Sequence, residues 1–235
     1  MLKPIYSQDP RSLPTYGIAE AARYLSVRPS TLRDWVAGRT YPTSQGGQFS
    51  PPLIELTDPS SHLLSFTNLV EAYVLASLRR RHRIQMHKVR DALLYLEKKL
   101  GAKHPLASER LETDGRSLFI KKYGQLIDLP EDGQLAIEAV LKPYLQRIEH
   151  DASGLAVRFF PVRRSADAES PRTVVIDPFL SFGKPVLAGT GIPTGIIFHR
   201  FDTGELIAEL ADDYGLDPEQ IEEAIRYELP FRQAA

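Results

Sequence analysis

The sequence predicts a mainly α protein with small β elements. We expect a winged helix-turn-helix domain at the N-terminal end and a small α-rich domain at the C-terminal end. Three observations carry that expectation. Two short runs of helically spaced apolar residues meet at a three-residue break between Leu25 and Pro29. Longer amphipathic runs follow, separated by short stretches with strand character. The net charge of −1 also conceals opposite ends: residues 1–100 carry 14 basic and 8 acidic side chains, residues 171–235 carry 5 and 11. Such asymmetry predicts two partners of opposite sign, or a basic end that docks on the acidic end of the same or a second chain.

Composition removes whole classes. The chain of 235 residues has no cysteine, which excludes disulfides, thiolate metal sites, iron–sulfur clusters and a cysteine nucleophile, and fits a reducing compartment. No window approaches the roughly 18 apolar residues of a membrane span, and the first residues lack a secretory pattern. A cytoplasmic protein without membrane contact is expected. Length predicts more than one compact unit, taken as 1–101, 102–172 and 173–235. Neither an internal repeat nor a low-complexity tract is visible.

The first helix is expected from Ile18, Ala21, Ala22 and Leu25, and the second from Leu32, Trp35 and Val36, with Val27 in the turn. Pro29 suits the first turn of the second helix, where a missing N–H costs nothing, and Gly38 suits its C-terminal cap. Residues 40–62 are rich in Gly and Pro and read as a loop or a hairpin wing around the strand-like Leu53-Ile54-Glu55-Leu56. Helices are expected over 66–76 and 89–100, with the basic run Arg79-Arg80-Arg81-His82-Arg83 after the first. Residues 117–120 and 125–128 resemble a hairpin, 135–148 a helix, 155–162 a weak strand and 163–172 a linker. In the C-terminal part, Leu206, Ile207, Leu210 and Tyr214 repeat at helical spacing. Asp217-Pro218-Glu219-Gln220 then offers an N-cap, a first-turn proline and a capping-box glutamine.

With Leu32, Trp35 and Val36 inward, Ser30, Arg33, Asp34 and Ala37 face out, with Arg28 and Thr31 near the exposed N-terminal end. Arg33 is the candidate for a base edge, since a guanidinium grips guanine with two bonds. Ser30 and Thr31 suit phosphate or base-edge bonds at a helix N-terminus. Arg23, Arg28, Arg39, Arg80 and Arg81 are candidate DNA contacts, mostly to phosphate.

Tyr16-Gly17-Ile18-x-Glu20-Ala21-Ala22-x-Tyr24-Leu25 and Pro29-Ser30-Thr31-Leu32-Arg33-x-Trp35 resemble the MerR-like winged helix-turn-helix family over about 16–100. The proline-broken segment 40–62 departs from it. Ile176-Asp177-Pro178, Phe182-Gly183-Lys184-Pro185-Val186 and Gly189-Thr190-Gly191-Ile192-Pro193, followed by 204–214 and 219–228, resemble the family called domain of unknown function 433. The likeness is to antitoxin-type members paired with PIN-like ribonuclease toxins. That family often carries arginine after Gly-Thr, where Gly191 stands here. Together these resemblances imply a homodimeric antitoxin that binds operator DNA, represses its own operon and neutralises the toxin. The tail residues Phe231 and Arg232 are candidate toxin contacts, Arg232 by entering among active-site carboxylates.

The glycine-rich run does not match a phosphate cradle: G-x-x-x-x-G-K-[ST] is missing, and Pro185 and Pro193 remove donors. His62, His82, His87, His104, His150 and His199 form no tight ligand spacing, and no G-x-S-x-G elbow occurs. No enzyme, cofactor or metal is expected. The competing readings are a stand-alone MerR-like regulator with an effector or dimerisation module, and a protein-binding scaffold with a vestigial helix-turn-helix.

Overall fold

The computed structural model describes residues 9–43, 46–81, 86–128, 131–161 and 172–229, with backbone alone at 43, 80, 81, 131 and 132. The chain is mainly helical and divides into two compact units, Met1–Val157 and Arg158–Ala235. Residues 102–157 thus fold with the first hundred.

In the first unit α1 (Ile18–Leu25) and α2 (Pro29–Ala37) form the expected pair. Ala21, Ala22, Tyr24 and Leu25 of α1 are buried with Leu32, Trp35 and Val36 of α2. β1 (Arg39–Thr43) and β2 (Gly46–Ser50) follow as an antiparallel hairpin, Arg39 opposite Ser50 and Tyr41 opposite Gln48. This hairpin is the wing. Leu53–Leu56 is not the strand that its composition suggests. The Leu53 and Ile54 N–H groups both donate to the Trp35 carbonyl, at 2.7 and 3.0 Å, so they close the C-terminal end of α2 and are not free for a ladder.

α3 (Phe66–Arg81) is buried at every position from Asn68 to Leu78, as an apolar surround requires of a central helix. Of the helices that follow, α4 (Met86–Leu100), α5 (Arg116–Leu126) and α6 (Glu131–Leu145), α6 packs on α3, and α5 on both α4 and α6. The hairpin expected at 117–128 is therefore a helix, with Phe119, Ile120 and Tyr123 buried at 3.6-residue spacing. A short hairpin, β3 (Ile148–His150) and β4 (Ala156–Phe159), follows. In its turn the Asp151 carboxylate accepts from the Ser153 and Leu155 N–H groups at 2.9 and 3.2 Å.

In the second unit β5 (Val174–Val175) pairs with β6 (Val186–Leu187), and Ile176 exchanges backbone bonds with Phe159. α7 (Thr194–Asp202), α8 (Ile207–Tyr214) and α9 (Pro218–Glu228) pack together over Val174, Leu187, Ile197, Leu210, Ile221 and Ile225. The sequence reading missed α7. Leu210, Ile221 and Ile225 are core, whereas Leu206 and Leu229 are exposed. The α9 N-terminus is as expected: Asp217 caps, Pro218 opens the first turn, and the Asp217 N–H donates to Gln220 Oε1 at 3.1 Å.

No helix among the described residues is long and apolar enough to cross a membrane.

Candidate nucleic-acid interface

The site begins with how α2 is held. Ser26 adopts a left-handed conformation (φ 52°), and the Val27 N–H donates to the Ala22 carbonyl at 3.0 Å, which ends α1 and turns the chain. Arg28 is the extended N-cap and Pro29 opens α2. Leu32 and Trp35, at 0 and 2 % exposure, anchor the helix; truncating such side chains costs about 2–5 kcal/mol. At the other end Gly38 has φ +76°, and a Cβ there would lie 2.6 Å from the Ser50 carbonyl oxygen and 2.7 Å from the Phe49 ring. Glycine is what lets the wing close against the end of the helix.

Fixing the inward face leaves Arg28, Ser30, Arg33 and Ala37 exposed and Asp34 half-buried. Arg28 and Arg33 make no ion pair among the described residues. Exposed Arg39, at the base of the wing, lies 3.5 Å from Asp34. Arg23 is exposed, and its guanidinium sits 5.1 Å from the centre of the Tyr24 ring. Tyr24 donates to Glu20 at 2.7 Å; burial, and then that bond, raise its pKa well above the ordinary tyrosine value.

Thr31 is a correction. It is 7 % exposed and lines the inner face with Leu32, Trp35 and Val36. A position four residues before Trp35 shares its stripe, so Thr31 is not presented to a groove. Arg80 and Arg81 close α3, but their side chains lie outside the described residues, as do Phe231 and Arg232 entirely. The neighbouring Arg79 is exposed.

Two features escaped sequence reasoning. Phe49 stands 59 % exposed on the wing, and Arg90 of α4 donates to the Pro51 and Pro52 carbonyls, tying the chain after the wing to the body of the unit. Burial lowers the pKa of Arg90 from the usual arginine value. No local signal foretells a bond across nearly forty residues. The exposed arginines, the α2 N-terminus and the wing together form a surface able to contact phosphates and reach base edges.

Behind this face a polar network crosses the unit. Asn68 accepts from the Ser65 N–H and hydroxyl at 3.2 and 3.0 Å, and donates to the Glu55 carbonyl at 2.9 Å and to Glu71 Oε2 at 3.1 Å. Glu71 Oε1 in turn lies 3.2 Å from His104 Nδ1. The Glu71 contact raises the His104 pKa against the opposing effect of burial.

In the second unit buried Thr194 donates to buried Glu228 Oε1 at 2.6 Å, joining the start of α7 to the end of α9. Among the described residues no group of three or more histidines and carboxylates converges in a way that could hold a metal.

Comparison with known proteins bears on both units. A family model described as "Putative DNA-binding HTH domain" matches residues 14–93, and one described as "Protein of unknown function (DUF433)" matches 174–227. A protein of Mycobacterium tuberculosis (strain ATCC 25618 / H37Rv) named "Putative antitoxin VapB45" is 33% identical over 230 residues, covering 91% of this chain and 93% of that protein. The chain belongs to the family of that protein. "Uncharacterized protein Rv2308" of the same strain is 29% identical over 231 residues, 93% of this chain and 92% of that one. The crystal structure of Rv2018 from Mycobacterium tuberculosis has a TM-score of 0.67 to this fold at 27% identity, covering 91% of this chain and 97% of that chain. Each of these likenesses covers 91% or more of the chain.

Proposed function

We propose that this chain is the antitoxin of a toxin–antitoxin pair. Its first unit binds operator DNA and represses its own operon, and its second unit captures a PIN-like ribonuclease. The observation that carries the DNA half is the exposed arginine face of α2, held by buried Leu32 and Trp35 and followed directly by a wing. The antitoxin half is supported by full-length similarity to a protein bearing an antitoxin name.

In this reading α2 enters the major groove in the manner of MerR-like regulators. Arg33 contacts a base edge, Arg28 and Ser30 hold phosphate at the helix N-terminus, and Arg23, Arg39, Arg80 and Arg81 add phosphate contacts. A two-fold homodimer sets two such helices about 34 Å apart, one turn of duplex. Phe231 and Arg232 serve the toxin.

The test is binding to DNA from the protein's own promoter across a salt series. Wild type should lose affinity steeply as salt rises, and Arg33→Ala should cost about 1–3 kcal/mol of specific binding while unrelated duplex is bound as before. Equal binding of promoter by wild type and Arg33→Ala would overturn the assignment of α2.

A further inference from the structure

The second unit repeats the geometry that makes the first a helix-turn-helix. Ile18–Leu25 has its counterpart in Ile207–Tyr214, and Pro29–Ala37 in the first nine residues of Pro218–Glu228, at a constant offset of 189 residues (Ile18 to Ile207). The left-handed residue that ends the first helix is Ser26 (φ 52°) in one and Gly215 (φ 64°) in the other. The next N–H returns to the preceding helix in both, Val27 to the Ala22 carbonyl and Leu216 to the Ala211 carbonyl, each at 3.0 Å. An extended N-cap follows, Arg28 or Asp217, and then a proline, Pro29 or Pro218. Burial follows the same register at Ala21 with Leu210, Ala22 with Ala211, Leu32 with Ile221, Trp35 with Ala224 and Val36 with Ile225, and departs from it where buried Tyr24, Leu25 and Thr31 correspond to exposed Asp213 and half-buried Tyr214 and Gln220. Identity survives only at Ile18, Ala19, Glu20, Ala22 and Pro29, which hides the repeat from sequence inspection.

What changes is the sign of the outward charge. Arg23 corresponds to Asp212, Arg28 to Asp217, Ser30 to Glu219 and Arg33 to Glu222, all exposed, while Asp34 corresponds to half-buried Glu223. Every arginine of the first turn-and-helix face is a carboxylate in the second. Arg226 pairs with Glu222 at 3.8 Å and with Glu223, but Asp212 and Glu219 make no ion pair among the described residues. Phosphate cannot settle on such a face, because DNA carries a negative charge about every 1.7 Å of its axis. A cationic surface can, and steering between opposite charges favours both encounter and register.

We infer that α8 and α9 are a second helix-turn-helix whose recognition face has been turned from cationic to anionic, and that this face receives the cationic RNA-binding surface of the ribonuclease partner. The inference rests on the ribonuclease-capturing reading above. Around its active-site carboxylates a ribonuclease must carry positive charge where the RNA phosphates lie, so a face offering carboxylates in place of phosphates occupies the ground of the substrate's backbone. Capture and inhibition then follow from one contact.

The experiment uses the full chain and the purified ribonuclease encoded beside its gene. Binding is measured for wild type, for Asp212→Lys/Glu222→Lys and for Asp212→Asn/Glu222→Gln, with a thermal melt of each. The neutral pair keeps the test decisive if the lysine variant does not fold. Charge reversal should weaken ribonuclease binding about tenfold or more and neutralisation by a smaller factor, with promoter binding unchanged. Wild-type affinity should fall as salt rises. If wild type binds the ribonuclease and both folded variants bind within about twofold of it, this inference fails while the antitoxin reading stands. If wild type does not bind at all, both fail. A change in self-association of the variants, with ribonuclease binding intact, would show that the face seats a second copy and would also overturn the inference.

Discussion

His104 shows how a single residue couples the fold to its conditions. Its contact with buried Glu71, 5 % exposed, favours the imidazolium and raises its pKa above the ordinary value of about 6.5. A base whose pKa is raised on folding contributes stability that is complete below its unfolded value and is lost as pH rises through the folded one. The unfolding free energy of wild type minus that of His104→Gln should therefore be largest near about pH 5.5 and shrink towards about pH 9. A pH-independent difference in denaturant titrations would remove the ion pair from the account. Sequence could not reveal this network, because Ser65, Asn68, Glu71 and His104 meet only once α3 is buried and the chain after α4 returns to it. Thr31 fails for a related reason. Periodicity located the inner stripe but not its width, and one residue decides whether a threonine hydroxyl is offered to DNA or lines the core.

Among the elements, α2 was the most legible, whereas the wing spans 39–50 and not the strand-like Leu53–Leu56 around which it was expected. Pro29 and Gly38 mark the ends of α2, and Leu32, Trp35 and Val36 set its face. The wing depends on Gly38, whose φ of +76° and 2.6 Å approach to the Ser50 carbonyl exclude a side chain without movement. Gly38→Ala should cost about 1–3 kcal/mol in chemical denaturation and weaken promoter binding as the wing shifts. Unchanged stability would mean that the hairpin does not seat against α2 as described. α5 was misread because Lys121-Lys122-Tyr123-Gly124 looks like a turn. Gly124 instead admits the Gln134 side chain of α6, where a Cβ would lie 2.7 Å from its amide carbon, so the glycine serves packing and not reversal. α7 was missed because it starts within a Gly- and Pro-rich run, and Thr194 is tied down by the Pro185 carbonyl and by Glu228, 34 residues later.

For the whole molecule, charge is the thread from sequence to function. The two ends of the chain were legible as opposites from counting alone, and the structure places those charges on exposed faces of like geometry in separate units. What counting could not disclose is that the acidic face repeats the frame of the basic one, because the inversion erases the sequence likeness that would expose it. The family to which the chain belongs adds an antitoxin-named member that matches it over nearly its full length. Neutralisation of a ribonuclease is the claim on which the rest of the account turns, so the first measurement is RNA cleavage by the ribonuclease of the adjacent gene, titrated with the full chain. Cleavage should fall in proportion to added protein and stop at a fixed molar ratio; undiminished cleavage at large excess would contradict the account.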